Sequence, residues 1–170
     1  MKKILLTGLG DKLGGTESFL RVLVDGLGGE YEFSVLAATN RQFAMADFLA
    51  SHHVPVYQLH GIFGLKSALR RGKVLDRFFA NHSFDLVHVN ANTINAAYIA
   101  RAAVRAGIHV VFQIHNAAPS GYSALAQLLT KLNTPRQRYF LRRQNVTLIA
   151  VSDEAATRVF GSRLKSKARV

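Results

Sequence analysis

Leu13-Gly14-Gly15-Thr16-Glu17-Ser18 joins a short apolar run, Ile4 to Thr7, to a segment carrying Phe19, Leu20, Leu23, Val24 and Leu27 at helical spacing. A strand, a glycine turn and a helix start make an anion site. Glycine lets backbone come close to a ligand, and the N–H groups of the first helical turn, backed by the helix dipole, point at it. A diphosphate fits such a cradle, so Gly14, Gly15 and Thr16 are assigned to diphosphate binding, and Glu17 to a favourable charge in the first turn at the cleft. The competing reading is a tight turn before an ordinary helix.

The elements around this loop follow from alternating apolar runs and helical patterns, the signature of βαβ units and a parallel sheet. Strands are expected at Lys3 to Thr7, Phe33 to Ala38, Val54 to Leu59, Leu86 to Asn90, Val110 to Ile114 and Thr147 to Val151. Helices are expected at Thr16 to Leu27, Arg41 to Ser51, Leu65 to Asn81, Thr93 to Ala106, a broken pair over Tyr122 to Arg143, and Asp153 to Lys165. Thr134-Pro135 reads as the N-cap and first turn of the second member of that pair, and Ser152 and Asp153 as the cap of the last helix. The fold class is therefore α/β, a Rossmann-like open parallel sheet with helices on both faces, in one domain over residues 1–170. Such a sheet binds ligands beyond the carboxyl ends of its strands, which lines up Gly14, Asn90, Asn92 and His115 along one edge. His115 ends an apolar strand, where histidine serves either as a packed core residue or as a ligand contact. Asn116 either orients the next loop or touches ligand, and mid-strand His88 reads as structural.

Composition removes several chemistries. There is no cysteine, hence no disulfide framework, thiolate metal site or cysteine nucleophile. His52 and His53 have no carboxylate at ligand spacing, so no metal is expected. No carboxylate occurs between Asp85 and Asp153 and no GxSxG motif is present, which argues against a hydrolase. Gly8, Gly10 and Gly14 are spaced GxGxxxG, and Ala37-Ala38-Thr39-Asn40-Arg41 lacks the acidic residue of a nicotinamide-dinucleotide site. Arg41 leaves an NADP-dependent Rossmann oxidoreductase as a minor alternative. The apolar run after Lys2 and Lys3 stops at Leu6, too short for an export signal, and no run approaches a membrane span, so a cytoplasmic protein is expected.

The charge is lopsided: 22 Lys plus Arg against 10 Asp plus Glu, net +12. An anionic partner follows: nucleic acid, an anionic membrane surface, a phosphorylated ligand or an acidic domain. A basic nucleic-acid-binding module is the alternative from another class, but the aromatic residues are scattered with no stacking motif, so nucleic acid is not expected. Lys66, Arg70, Lys73 and Arg77 recur on one helical face just after Gly61-Ile62-Phe63-Gly64. Ile62 and Phe63 beside that basic stripe read as a segment docking peripherally on the anionic inner face of the cell membrane. The same residues read equally as a solvated helix face beside a buried loop.

The segments LGGTES, FDLVHVNANT leading into INAAYIARAAVRAG, HVVFQIHNA and VTLIAVSDEA, in that order, resemble the N-terminal half of a family 4 glycosyltransferase. The resemblance is closest to bacterial enzymes that build capsular, exopolysaccharide or other envelope glycans. It implies the GT-B fold, in which an N-terminal Rossmann-like domain mainly binds acceptor and a C-terminal one mainly binds nucleotide-sugar. It also implies transfer of a sugar from a nucleotide-sugar to a lipid-linked or glycan acceptor, with the anomeric configuration retained and no separate cofactor. His115 matches a histidine that lies near the donor sugar and reaction centre, making it the catalytic candidate; Glu17, Asn90, Asn92 and Asn116 become acceptor or cleft residues. The family often has a second histidine where this chain has Asn90. After VSDEAATRVFGSRLKSKARV the family continues into an asparagine-glycine turn, the donor domain and a pair of glutamates seven residues apart. The expectation is therefore an acceptor-side domain without its donor-binding partner, inactive by itself.

Overall fold

The alternating pattern folds as a seven-stranded sheet in which every strand pair is parallel. The computed structural model describes residues 1–37, 44–60, 62, 70–116, 124–143 and 145–170. The chain runs β1 (Lys2–Thr7), α1 (Gly15–Leu27), β2 (Tyr31–Ala37), α2 (Ala46–Ser51), β3 (Val56–Gln58), α3 (Arg71–Asn81) and β4 (Leu86–Ala91). A 3₁₀ turn (Ile94–Ala96), α4 (Ala97–Arg105), β5 (His109–Ile114), α5 (Ala124–Phe140) and β6 (Val146–Ala150) follow. The chain ends with α6 (Asp153–Ala155), a π-helical turn (Ala156–Phe160), α7 (Ser162–Lys165) and β7 (Ala168–Arg169).

Strand order is β3-β2-β1-β4-β5-β6-β7, so the winding reverses between β1 and β4, and the crevice for ligand opens at their carboxyl ends. Strand residues alternate between the two faces. Leu5 joins Val87, Val89, Phe112 and Ile114 in one core cluster, while its neighbour Leu6 joins Leu20, Val24, Val35 and Leu49 in another. Burial on both faces is what makes these strands read as continuous apolar runs. Leu20 and Val24 on α1 are buried, which fixes the helix on the sheet and aims its N-terminus at the crevice.

Two expectations change. Thr134-Pro135 does not start a new helix: α5 runs unbroken through Pro135, and the Thr134 hydroxyl donates to the Thr130 carbonyl at 2.7 Å. Proline removes one helical N–H and crowds the preceding turn, and buried Gln137 and Phe140 hold the inner face of the helix beyond it. The last helix is divided at Gly161, whose φ of +77° belongs to the left-handed region. Ser152 caps as expected, its Oγ accepting from the Ala155 N–H at 3.1 Å. No helix among the described residues is long and apolar enough to cross a membrane.

Candidate functional site

The loop after β1 starts from a contact that only glycine permits. Gly8 has φ +103°, and a Cβ there would lie 2.1 Å from the Asn90 carbonyl oxygen, so the exit of β1 rests directly on the end of β4. The Gly10 N–H donates to Glu17 Oε1 at 2.7 Å, and the Gly10 carbonyl accepts from the Ala44 N–H at 3.3 Å. A Cβ at Gly14 would come within 3.2 Å of Glu17 Oε2. Glu17, only 6% exposed, therefore clamps the loop of residues 8–14 over the first turn of α1. Its role extends beyond the first-turn charge expected from sequence, because its partner lies seven residues back in the chain.

At the start of α1, Gly14 is extended (φ −152°, ψ −168°) and its carbonyl accepts the first helical bond, from the Ser18 N–H at 3.0 Å. The N–H groups of Gly15, Thr16 and Glu17 precede that ladder and face out of the helix end. Thr16 is buried. A Cβ added to Gly15 would meet nothing within 4 Å, so this residue is open at the helix start. The loop glycines thus divide in two: Gly8 is required by the protein's own packing, whereas Gly15 borders space that nothing among the described residues fills.

The opposite wall comes from β4 and β5. His115 Nε2–H donates to Asn90 Oδ1 at 2.8 Å, and its ring lies 5.3 Å from that of Phe19 on α1. Burial lowers the His115 pKa, against an opposing pull from the Glu17 carboxylate, which keeps the ring neutral at pH 7 with Nδ1 as its acceptor. Below it, His88 Nε2–H donates to Gln113 Oε1 at 2.9 Å, and the His88 ring packs edge-on to Phe19 at 5.7 Å. Burial pushes the His88 pKa down to about 4, with the Gln113 bond opposing and His115 reinforcing the shift. His88 is structural, as read from sequence, and Gln113 is the partner that sequence did not supply. Asn90 Nδ2 and Thr7 Oγ1 are buried at this same edge with no hydrogen-bond partner among the described residues. Gly14, Gly15, Thr16, Glu17, Asn90 and His115 are thus brought to one crevice, with exposed Asn92 and Asn116 on its rim.

The segment assigned to membrane docking does not assemble as expected. Ile62 is fully buried, in the same core cluster as Leu36 and Leu75, and cannot dip into a bilayer. A short apolar side chain between glycines can pack inward as readily as outward, and here it completes the core. Phe63 and Lys66 lie outside the described residues, as does Arg41; Arg70, Lys73 and Arg77 are exposed. No group of three or more His, Cys, Asp or Glu able to hold a metal occurs among the described residues. His52 pairs instead with Asp25 at 3.0 Å.

The profile of the family described as Glycosyltransferase Family 4 matches residues 13–170. No curated protein matches the chain significantly. Among solved structures, HepE of Anabaena in complex with UDP-glucose superposes with a TM-score of 0.68 at 22% identity, over 100% of this chain and 43% of that one. MurG of Acinetobacter baumannii gives a TM-score of 0.58 at 18% identity, over 89% of this chain and 41% of that one. A UDP-N-acetylglucosamine 2-epimerase gives 0.56 at 16%, covering 92% of this chain and 44% of that one. The chain therefore spans less than half the length of these structures, whose likeness establishes the Rossmann-like α/β fold. With a profile match over nearly its whole length and this fold, the chain belongs to glycosyltransferase family 4.

Proposed function

We propose that this domain is the acceptor-side half of a retaining glycosyltransferase that moves a sugar from a nucleotide-sugar to a lipid-linked or glycan acceptor in cell-envelope polysaccharide or glycoconjugate synthesis. The observation that carries the reading is the exposed N-terminus of α1 at Gly15, set by the Glu17–Gly10 clamp at the same sheet edge as neutral His115. As the glycosidic bond of the donor breaks, charge builds on the departing diphosphate, and the N–H groups of Gly15 and Thr16 are positioned to stabilise it. With Nε2–H committed to Asn90, His115 presents Nδ1 to accept a hydrogen bond from a sugar hydroxyl. That makes it an orienting group at the reacting sugar, not a cationic acid. HepE forms a complex with UDP-glucose and the epimerase is one of UDP-N-acetylglucosamine, which supports a nucleotide-sugar as donor.

On this division of labour the donor pocket mostly belongs to a further domain, which supplies basic side chains and the ribose contacts. Titration calorimetry of the chain with UDP- and GDP-sugars is expected to show no submicromolar binding. Tight binding would mean that the donor site lies wholly in this domain. When the domain is joined to its donor half, the coupling constant at C1 of the product, read by proton NMR, is expected to match that of the donor sugar; an inverted product would contradict the retaining assignment.

A further inference from the structure

Five apolar residues recur at helical spacing along α1, and one of them does not join the core. Leu20 and Val24 are buried in the cluster beneath the helix, and Leu23 and Leu27 pack against it. Phe19 is half-buried and, among the described residues, packs against neither core cluster. Its ring contacts lie at the crevice: 5.3 Å from the His115 ring at an interplanar angle of 57°, and 5.7 Å from the His88 ring at 82°. Neither histidine stacks flat on it. Both imidazoles are pinned by side-chain hydrogen bonds, His115 to Asn90 at 2.8 Å and His88 to Gln113 at 2.9 Å, so the phenyl ring rests on two fixed neighbours.

Phe19 lies four residues after Gly15, which puts the two on the same side of α1, about 40° apart around the helix and about 6 Å apart along it. A helical side chain leans towards the N-terminus of its helix, so the phenyl ring covers the turn that begins at Gly15. A ligand whose phosphate meets the Gly15 and Thr16 N–H groups therefore brings the group it carries over Phe19, at about the width of one sugar ring. A pyranose is polar around its rim and apolar on a face from which axial C–H groups project. It calls for an aromatic surface under that face and a hydrogen-bonding group beside the rim. Phe19 offers the first and Nδ1 of neutral His115 the second. A flat nucleobase would call for a slot between parallel surfaces, whereas rings inclined at 57° and 82° form a corner.

We propose that Phe19 is a specificity-determining contact of the crevice: the aromatic platform on which the apolar face of the donor's pyranose lies while His115 accepts from a hydroxyl at its rim. The platform rests on the transferase reading above, and it adds a residue that meets the sugar and neither the phosphates nor the nucleoside. Its contribution is therefore read as a difference between a nucleotide-sugar and the bare nucleotide.

The test compares UDP with UDP-glucose on the whole chain. In proton NMR the C–H resonances of the glucose ring are expected to move upfield as chain is added, under the ring current of a stacked phenyl, and not to move with Phe19→Leu. That variant is expected to weaken UDP-glucose binding roughly threefold to tenfold and to leave UDP binding within about twofold. The chain has no tryptophan, so Phe19→Trp keeps an aromatic platform and makes it a single reporter, whose emission is expected to respond to UDP-glucose and not to UDP. Leu132→Trp, exposed on α5, is expected to respond to neither. Unmoved glucose resonances beside Gly15 and Thr16 amides that do respond to UDP-glucose would overturn the platform and leave the transferase reading standing. Equal weakening of UDP and UDP-glucose by Phe19→Leu would overturn it too, making Phe19 a structural residue. Should Phe19→Leu not fold, the glucose shifts with the natural chain and the Phe19→Trp emission decide. Silence of the amides, the glucose resonances and the indole alike would overturn both readings.

Discussion

The glycine loop and the α4–α5 face both suit anions, and they are built in opposite ways. At the loop, the groups that face outward are backbone N–H dipoles at the start of α1, and an acid, Glu17, is turned inward to hold Gly10. At the α4–α5 face, four arginines crowd one cavity with a single carboxylate beside them. The first arrangement fixes the geometry of its donors; the second concentrates charge without fixing it. Net charge, the property most visible in the sequence, therefore points at the second region and says little about the first.

Changes that disturb the loop's own packing should have the largest effects and spare the arginine face. Gly8→Ala places a Cβ 2.1 Å from the Asn90 carbonyl in a left-handed backbone, so a loss of more than about 4 kcal/mol is expected, read as failure to fold or as collapse of the denaturant midpoint. A stable, soluble Gly8→Ala protein would show that the β1 and β4 ends are not locked together.

Acid should separate the two regions next, because guanidiniums do not titrate and His88 does. Its folded pKa of about 4 lies below the ordinary 6.5, so the unfolded chain takes up the proton first. The stabilisation is then present above pH 6.5 and lost as pH falls towards 4, by about 3 kcal/mol in full. Urea unfolding at pH 7 and pH 4.5 is expected to show a steeper loss for the natural chain than for His88→Gln. Parallel losses in the two proteins would remove His88 from the account.

Glu17→Ala follows in size. It leaves the Gly10 N–H without its partner and should cost about 2 kcal/mol, lowering the thermal midpoint by roughly 4–8 °C. An unchanged midpoint would mean that the loop holds itself without the clamp.

Much of this was legible in the sequence, for reasons that also mark where legibility stops. The strands were readable because both faces of each are buried, and the strand-loop-helix passage at Gly8 to Gly15 because glycines interrupt the two apolar periodicities there. The Glu17–Gly10 bond was not, since a side chain reaching back to a loop N–H leaves no periodic trace. Gln113 carries a fainter signal: a polar residue inside an apolar strand, beside a strand holding His88. Leu128 and Leu132 look like core residues in any hydropathy pattern, and only the position of α5 reveals that they face outward. Ile62 shows the converse. Two-residue β7 and the uninterrupted passage of α5 through Pro135 depend on tertiary packing, which local propensity does not record.

The smallest expected structural effect belongs to Gly15→Val, whose added atoms enter open space and should change stability by less than about 0.5 kcal/mol. That makes it the sharpest probe of the central claim, that the α1 N-terminus is where the donor diphosphate sits. The direct measurement is a ¹H–¹⁵N NMR titration of the chain with UDP and UDP-glucose, beside the same titration of Gly15→Val. The account predicts weak binding that moves the Gly14, Gly15 and Thr16 amides together with the His115 ring, and loss of those shifts in the variant at unchanged melting temperature. Shifts confined to the arginines of α4 and α5, or a full response at the loop and His115 in Gly15→Val, would contradict it.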